Sequence, residues 1–186
     1  MCGIVGYAGM EIKPGLVRRM ADIVSHRGPD DEGYYEDSDI ALGQKRLSII
    51  DIKGGHQPMT SSDGRYVIIF NGEIYNFREL RLELERKGRT FQTNSDTEVL
   101  LYWLAEFGMG RVLDLNGMFA FALWDRREKS LLLVRDRLGI KPLYVHISGK
   151  GIVFGSEIKA MLPAIGRRAE AGMEAIYEFL TFQNIL

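Results

Sequence analysis

The chain has 186 residues, of which 46% are hydrophobic and 26% charged, enough for the core of one domain, or one domain and the start of another. Its 24 basic and 25 acidic residues leave a net charge of −1, so composition gives no bias toward nucleic acid. One cysteine excludes an intrachain disulfide, and neither a signal peptide nor an apolar run of roughly 20 residues is present, so we expect a cytoplasmic protein without membrane contact.

The pattern of apolar residues predicts an α+β fold. Buried strands are predicted over 3–8, 39–43, 45–50 and 66–70, and two hairpins over 118–136 and 142–156. Helices are predicted over 14–26, 76–88 and 95–108, and loops over 27–33 and 54–64. Because no regular βαβ alternation is present, we expect antiparallel sheets with helices on their outer faces.

Two of the helices carry end signals. Asn76 is a candidate N-cap for the helix over 76–88, and Gly88 is placed to end it at C′. Ser95 and Glu98 have the spacing of a capping box at the start of the helix over 95–108.

The last 25 residues differ from the rest. Residues 162–172 read as a connector, and the helix that follows places Met173, Ile176, Tyr177 and Leu180 on one face. Such a stripe needs a partner surface. We therefore expect this chain to be the front part of a longer protein.

The single thiol belongs to Cys2, directly after the initiator methionine. Removal of Met1 would give Cys2 a free α-amine, whose ordinary pKa lets it take the thiol proton at neutral pH. A terminal nucleophile with its own amine as base is an established arrangement. Two other interpretations stay open: one of the three histidines is the base, or Cys2 is only a small residue of an edge strand.

Two groups of polar residues suggest the rest of a site. Asn71 and Gly72 end a buried strand and could supply a side-chain and a backbone donor to an oxyanion, although Asn-Gly is also a common turn dipeptide. Arg46 is suited to a carboxylate, and Asp96 or Glu73 to an ammonium group, which together fit a free α-amino acid. A surface role for Arg46 and a helix-end role for Asp96 remain alternatives.

Other kinds of site lack their sequence signals. No phosphate loop or dinucleotide fingerprint is present, and the three histidines lack metal-ligand spacing, so we expect neither a metal nor a cofactor. The basic stretch "RDRLGIKPLY" at 135–144 fits either a phosphate contact or a structural turn.

Nine blocks in this order resemble one family: "MCGIVGY", "HRGPDDEG", "RLSIID", "GHQPM", "NGEIYNFREL", "SDTEVLL", "GMFAFALWD", "RDRLGIKPLY" and "GSEIKAML". The set is similar to the N-terminal glutaminase domain of glutamine-hydrolysing asparagine synthetase, a class II glutamine amidotransferase. The resemblance covers residues 1–165. It implies the N-terminal nucleophile hydrolase fold, a four-layer αββα sandwich with two antiparallel sheets.

The resemblance also implies a role for each site residue. Cys2 would be the nucleophile after loss of Met1, and Asn71 with the Gly72 amide would form the oxyanion hole. Arg46 would hold the α-carboxylate of glutamine and Glu73 and Asp96 its α-amine. Backbone groups around Ile49 and Ile50 would complete the pocket.

Partners follow from the same resemblance. They are L-glutamine and a C-terminal synthetase domain that uses ATP and Mg²⁺ and is absent here, with residues 166–186 as the lead-in to it. A homodimer is left open. Three alternatives also remain: a synthetase-like enzyme that amidates another carboxylate, an enzyme of the same fold that cleaves another amide, and a non-catalytic glutamine-binding module.

Overall fold

The computed structural model describes residues 1–52, 54–166 and 172–183. Within these ranges the strands are β1 (Gly3–Ala8), β2 (Asp31–Glu36), β3 (Ile40–Arg46), β4 (Met59–Thr60), β5 (Tyr66–Ile74), β6 (Gly117–Asp125), β7 (Ser130–Arg135), β8 (Tyr144–Ser148) and β9 (Gly151–Gly155). The α-helices are α1 (Leu16–Ile23), α2 (Phe77–Arg86), α3 (Asp96–Phe107), α4 (Ile158–Ile165) and α5 (Met173–Phe182). Short 3₁₀ turns lie at Ser25–Arg27 and Met109–Asp114.

The strands form two antiparallel sheets. The first sheet has the order β2-β3-β1-β9-β8 and the second the order β4-β5-β6-β7. The longest ladder joins β5 to β6, from Tyr66 opposite Asp125 to Ile74 opposite Gly117. Such a ladder fixes the position of every residue along β5 relative to β6.

The central strands of both sheets are buried on two faces, and successive side chains along each strand point to opposite faces. Ile4 of β1 and Ile69 of β5 point into the space between the sheets. The neighbouring residue Val5 instead packs against α1, and Ile68 packs against α3 and its surroundings. This explains why β1 and β5 are continuous apolar runs rather than alternating ones.

The outcome is four layers. α1 and α4 cover the outer face of the first sheet, and α2 and α3 cover the outer face of the second. A third core cluster lies between the sheets. The predicted α+β class, with two antiparallel sheets between helical layers, is confirmed.

The prediction was wrong around β2 and β3. Residues 31–33 were predicted as loop but begin β2, and the two strands predicted over 39–50 are one strand that ends at Arg46. Pairing explains the difference: β2 lies against β3 with Gly33 opposite Gln44. Strand pairing between distant residues overrides the local turn signal of Gly and Asp.

Helix ends follow the predicted positions but not always the predicted contacts. Ser95 accepts the N–H of Thr97 at 3.0 Å and is the N-cap of α3. Glu98 does not complete a capping box, because it accepts the N–H groups of Gln92 and Thr93 instead. The side chain of Asn76 likewise bridges to residues 114 and 116 rather than capping α2.

The C-terminal part is only partly described. The predicted connector over 162–172 begins later than expected, because α4 continues to Ile165. Residues 167–171 and 184–186 lie outside the described residues. In α5 the predicted apolar stripe is exposed to solvent within the described part of the chain. The division into a domain over 1–165 and a lead-in over 166–186 stays a prediction.

Candidate active site

A cavity of about 250 Å³ lies between one end of the first sheet and the second half of β5. All eight residues predicted as site residues line it: Cys2, Arg46, Ile49, Ile50, Asn71, Gly72, Glu73 and Asp96. The other lining residues are Met1, Leu47, Gln57, Phe70, Ser95, Thr97, Met118 and Lys141. The fold therefore brings the predicted residues together, while the role of each one stays a prediction.

Strands β1, β3 and β5 and helix α3 position most of the predicted site residues. The register of β1 and β3 sets Gly3 opposite Lys45, which places Cys2 beside Arg46 at the end of β3. The second half of β5 carries Asn71, Gly72 and Glu73. Asp96 begins α3 and accepts the N–H of Ile74 at 3.1 Å, which ties the start of the helix to the end of β5.

The Cys2 thiol lies at the cavity wall. Its sulfur accepts the N–H of Leu47 at 3.4 Å and lies 3.6 Å from the Leu47 carbonyl. Burial raises the pKa of the Cys2 thiol, while the Leu47 N–H, the chain-terminal ammonium, Arg46 and Lys141 act in the opposite direction. The thiol therefore needs a base nearby, because burial alone leaves it protonated at neutral pH.

The structure does not favour a histidine as the base that takes the Cys2 proton. None of the three histidines lines the cavity: His26 contacts Glu157, His56 contacts Asp31, and His146 lies on β8. Met1 is 56% exposed, so the residue whose removal would free the Cys2 amine lies at the surface. Loss of Met1 would place an amine two bonds from the carbon that bears the sulfur. A cysteine–histidine pair receives no support from this geometry.

Asn71 and Gly72 line the cavity from the second half of β5. The Asn71 side-chain nitrogen is buried and has no hydrogen-bond partner, which is rare in a folded protein. Gly72 is required by close packing, since a Cβ there would lie 2.2 Å from the carbonyl oxygen of Met118. The alternative interpretation of Asn-Gly as a turn is wrong, because both residues lie within β5.

Arg46 is a buried cation. Its guanidinium donates to the carbonyls of Ile50 and Asp51 at 2.9 Å and of Ile52 at 3.1 Å. Within the described residues it forms no ion pair. The predicted surface alternative is therefore excluded. The same contacts hold the loop that carries Ile49 and Ile50 against the cavity. Each of the carbonyl oxygens bound by Arg46 can also accept a second hydrogen bond.

Asp96 is a buried carboxylate, with only 4% of its surface exposed. Burial raises the pKa of Asp96 to about 6, opposed by backbone N–H groups of Ile74, Thr97 and Asp96 itself and reinforced by the nearby Glu73. The ionised form of such a buried carboxylate is stabilised when a cation binds beside it. The pair Asp96 and Glu73 is therefore suited to an ammonium group.

Lys141 was missed as a lining residue by sequence reasoning. It is 7% exposed, and its ammonium has no ion pair among the residues that the structure describes. The stretch 135–144 forms a turn held by Asp136, whose carboxylate accepts the N–H groups of Leu138, Ile140 and Lys141. The structure therefore supports the interpretation of this stretch as a turn. The order Gly-Ile-Lys-Pro was the feature of the sequence that could have indicated that turn.

Two other kinds of feature are absent from the described ranges. These ranges contain no group of three or more His, Cys, Asp and Glu side chains placed to hold a metal ion. None of their helices combines the length and apolar character that crossing a bilayer requires.

Comparison with known proteins identifies relatives. A family model described as a glutamine amidotransferase domain matches residues 1–186. Asparagine synthetase [glutamine-hydrolyzing] 1 of Bacillus subtilis is 43% identical over 191 residues, which covers 100% of this chain and 30% of that protein. Asparagine synthetase B of Escherichia coli is 40% identical over 168 residues, covering 88% of this chain and 30% of that protein. The chain thus spans less than a third of the length of these relatives.

Solved structures agree on the fold. The glutamine phosphoribosylpyrophosphate amidotransferase of B. subtilis, solved with ADP and GMP, has a TM-score of 0.74 at 24% identity and covers 89% of this chain and 44% of that chain. A structure titled as the allosteric regulatory enzyme of purine biosynthesis has a TM-score of 0.73 at 25% identity, with coverage of 89% and 43%. The N-terminal nucleophile hydrolase fold implied by the sequence resemblance is confirmed.

Proposed function

Since the chain belongs to the family of glutamine amidotransferase domains, we propose that it hydrolyses the side-chain amide of L-glutamine through a thioester on Cys2, releasing glutamate and ammonia. One observation supports this most strongly. The Cys2 sulfur shares a cavity with the buried Asn71 amide nitrogen, which has no partner in the protein. A free donor in the same cavity as a nucleophile is what the oxyanion hole of an acyl-transfer site needs.

The nucleophile acts after Met1 is lost. The α-amine of Cys2 takes the thiol proton, and the sulfur attacks the carboxamide carbon of glutamine. The negative charge that develops on the amide oxygen is met by the Asn71 side chain and the Gly72 N–H. The protonated amine then gives its proton to the leaving ammonia, and water cleaves the thioester to glutamate and regenerates the thiol.

Charge complementarity orients the substrate. Arg46 holds the α-carboxylate through its planar guanidinium, and Asp96 with Glu73 holds the α-ammonium. Both Arg46 and Asp96 are buried and lack an ion pair in the described part of the chain. Enzymes of the same fold that cleave other amides have less need for this pair of opposite charges, so glutamine is favoured over other amides.

The ammonia would be used elsewhere in a longer polypeptide. This chain matches only 30% of each of the two asparagine synthetases compared with it. We infer that a C-terminal synthetase region amidates aspartate with ATP and Mg²⁺, while this domain needs no cofactor. Amidation of another carboxylate is the alternative at that second site. A cytoplasmic location is supported by the single unpaired thiol.

The test is glutamine hydrolysis by the purified protein, followed as glutamate and ammonia in equal amounts. We expect Cys2→Ala to reduce turnover by at least about a thousandfold, with the folded structure retained. Cys2→Ser keeps a hydroxyl at the same place and should retain glutamine binding. Binding without any hydrolysis by the unmodified protein would support the non-catalytic alternative, and unchanged turnover in Cys2→Ala would reject Cys2 as the nucleophile.

A further inference from the structure

One edge of β5 loses its neighbouring strand before it reaches the cavity. β4 pairs with β5 only at two positions, Met59 opposite Ile68 and Thr60 opposite Val67. Beyond Ile68 the backbone groups on that edge have no strand to bind. Because buried backbone groups need partners, something else must satisfy them.

Two buried glutamines take the place of the missing strand at Phe70. The Gln57 side-chain oxygen accepts the Phe70 N–H at 2.7 Å. The Gln44 side-chain nitrogen donates to the Phe70 carbonyl and to the Gln57 oxygen, both at 2.8 Å. Gln57 also donates to the Thr97 hydroxyl at 3.1 Å and is only 4% exposed. Gln57 therefore joins β5, β3 and α3 through one side chain.

The same edge is satisfied again at Ile74, where Asp96 accepts the N–H. N–H groups two residues apart leave a strand on the same edge. The Gly72 N–H therefore leaves β5 between the groups held by Gln57 and Asp96. The facing residue on β6 agrees, because Phe119 uses its N–H and carbonyl to bind Asp136 on the far side from Gly72.

We propose that Gln57 is a positioning residue that stands in for a strand at Phe70 and so holds the adjacent Asn71 and Gly72 donors toward the cavity. The inference rests on the proposed function, since it concerns the oxyanion that forms during glutamine hydrolysis. Gln57 lines the cavity but is not needed to bind the amino-acid end of the substrate, which belongs to Arg46 and Asp96. Its removal should therefore act on the transition state and leave substrate affinity nearly unchanged.

A purely structural role is the competing explanation, and β5 offers a matched control. At the other end of the strand the Ser61 hydroxyl oxygen accepts the Tyr66 N–H at 2.9 Å. Ser61 is also buried, and it does not line the cavity. Ser61→Ala thus removes the same kind of hydrogen bond, one in which a side-chain oxygen accepts a backbone N–H of β5. It does so at the end of the strand away from Asn71 and Gly72.

The experiment compares Gln57→Met and Ser61→Ala in glutamine hydrolysis and in alkylation of Cys2 by iodoacetamide. Alkylation needs the thiol but forms no oxyanion. We expect Gln57→Met to lower kcat by about ten- to a hundredfold, with KM and the alkylation rate each within about threefold of the unmodified protein. Ser61→Ala should keep kcat within about twofold, whatever it does to stability.

A second variant covers the case in which Gln57→Met does not fold. Gln44→Met removes the support behind Gln57 without touching the cavity and should lower kcat in the same direction, by a smaller factor. The proposal is overturned if kcat is unchanged in the folded variants, if alkylation falls in proportion to kcat, or if Ser61→Ala loses as much turnover. No hydrolysis by the unmodified protein would instead reject the proposed function, and this inference with it.

Discussion

The buried polar groups at the two ends of the β5–β6 strand pair differ in whether the protein supplies them with partners. At the Tyr66 end, Asp125 accepts three hydrogen bonds from Arg65, at 3.1, 3.1 and 2.7 Å. Two backbone N–H groups also bind Asp125, and although burial alone would raise its pKa, these contacts and Arg65 hold the pKa below its usual range. Every buried charge at this end has a partner of opposite charge.

At the Ile74 end two buried polar side chains, Asn71 on β5 and Asp96 at the start of α3, lack partners of this kind. The Asn71 side-chain nitrogen has no partner, and Asp96 has no cation beside it in the described residues. Unpaired buried polar groups reduce stability, so natural proteins keep few of them. The contrast indicates that a ligand supplies the missing partners at one end, whereas the other end serves the fold alone.

The largest effect is expected when the unpartnered donor at the Ile74 end, the side-chain nitrogen of Asn71, is removed. We expect Asn71→Ala to lower kcat for glutamine by about a hundred- to a thousandfold, because an oxyanion donor acts only in the transition state. KM and the unfolding midpoint should change little, since no native hydrogen bond is lost. Asn94→Ala, an exposed residue of the loop before α3, is the control. A kcat within a few fold of the unmodified protein would remove Asn71 from the oxyanion hole.

Arg46→Ala tests the cation at the same end. Loss of a charge-assisted hydrogen-bond pair should raise KM for glutamine by about ten- to a hundredfold, with a smaller effect on kcat. Because Arg46 also holds the carbonyls of residues 50–52, Arg46→Lys and a glutamine analogue with a carboxamide in place of the α-carboxylate separate the two roles. The effect should vanish with that analogue. An unchanged KM for glutamine would show that Arg46 only supports the loop.

Asp96→Asn should produce opposite effects on stability and binding. The folded-state pKa of Asp96 is raised to about 6, so its contribution to stability is present below the unfolded value and is lost as pH rises through about 6. At pH 8 we expect Asp96→Asn to be more stable by up to about 3 kcal/mol, with the advantage disappearing between pH 6 and pH 4. KM for glutamine should rise. Denaturant unfolding across pH measures the first effect, and equal stability at pH 8 would contradict it.

The smallest effect on function is expected at the Tyr66 end, where Asp125 is paired with Arg65. Arg65→Met leaves Asp125 with only its backbone donors and should lower the free energy of unfolding modestly, because the partly exposed Arg65 is screened by solvent. Turnover per folded molecule should stay within about twofold of the unmodified protein. A large loss of kcat here would show that the two ends of the strand pair are not independent.

Much of the site could be predicted from sequence because its chemistry is local. Cys2 is identified by its position at the terminus, and Asn71, Gly72 and Glu73 follow directly after the apolar run over 66–70. The helix α3 was also predicted well, since its capping residue Ser95 acts over two residues. These features depend on neighbours in the chain.

The parts that could not be predicted depend on contacts between distant residues. β2 begins in a stretch rich in turn residues because β3 pairs with it. Gln57 lies in a segment that reads as loop, and its importance appears only when Phe70 and Gln44 are brought beside it. Lys141 was hidden for the same reason, because the turn around Asp136 carries it to the cavity wall.

The most direct measurement is intact-mass and peptide mass spectrometry of the active protein after treatment with diazo-oxo-norleucine, a glutamine-like electrophile. We expect the active molecules to lack Met1 and to gain one adduct, on Cys2, and glutamine to protect against its formation. An adduct on another residue, or full activity in molecules that retain Met1, would contradict a mechanism in which one terminal residue provides both the attacking sulfur and the base.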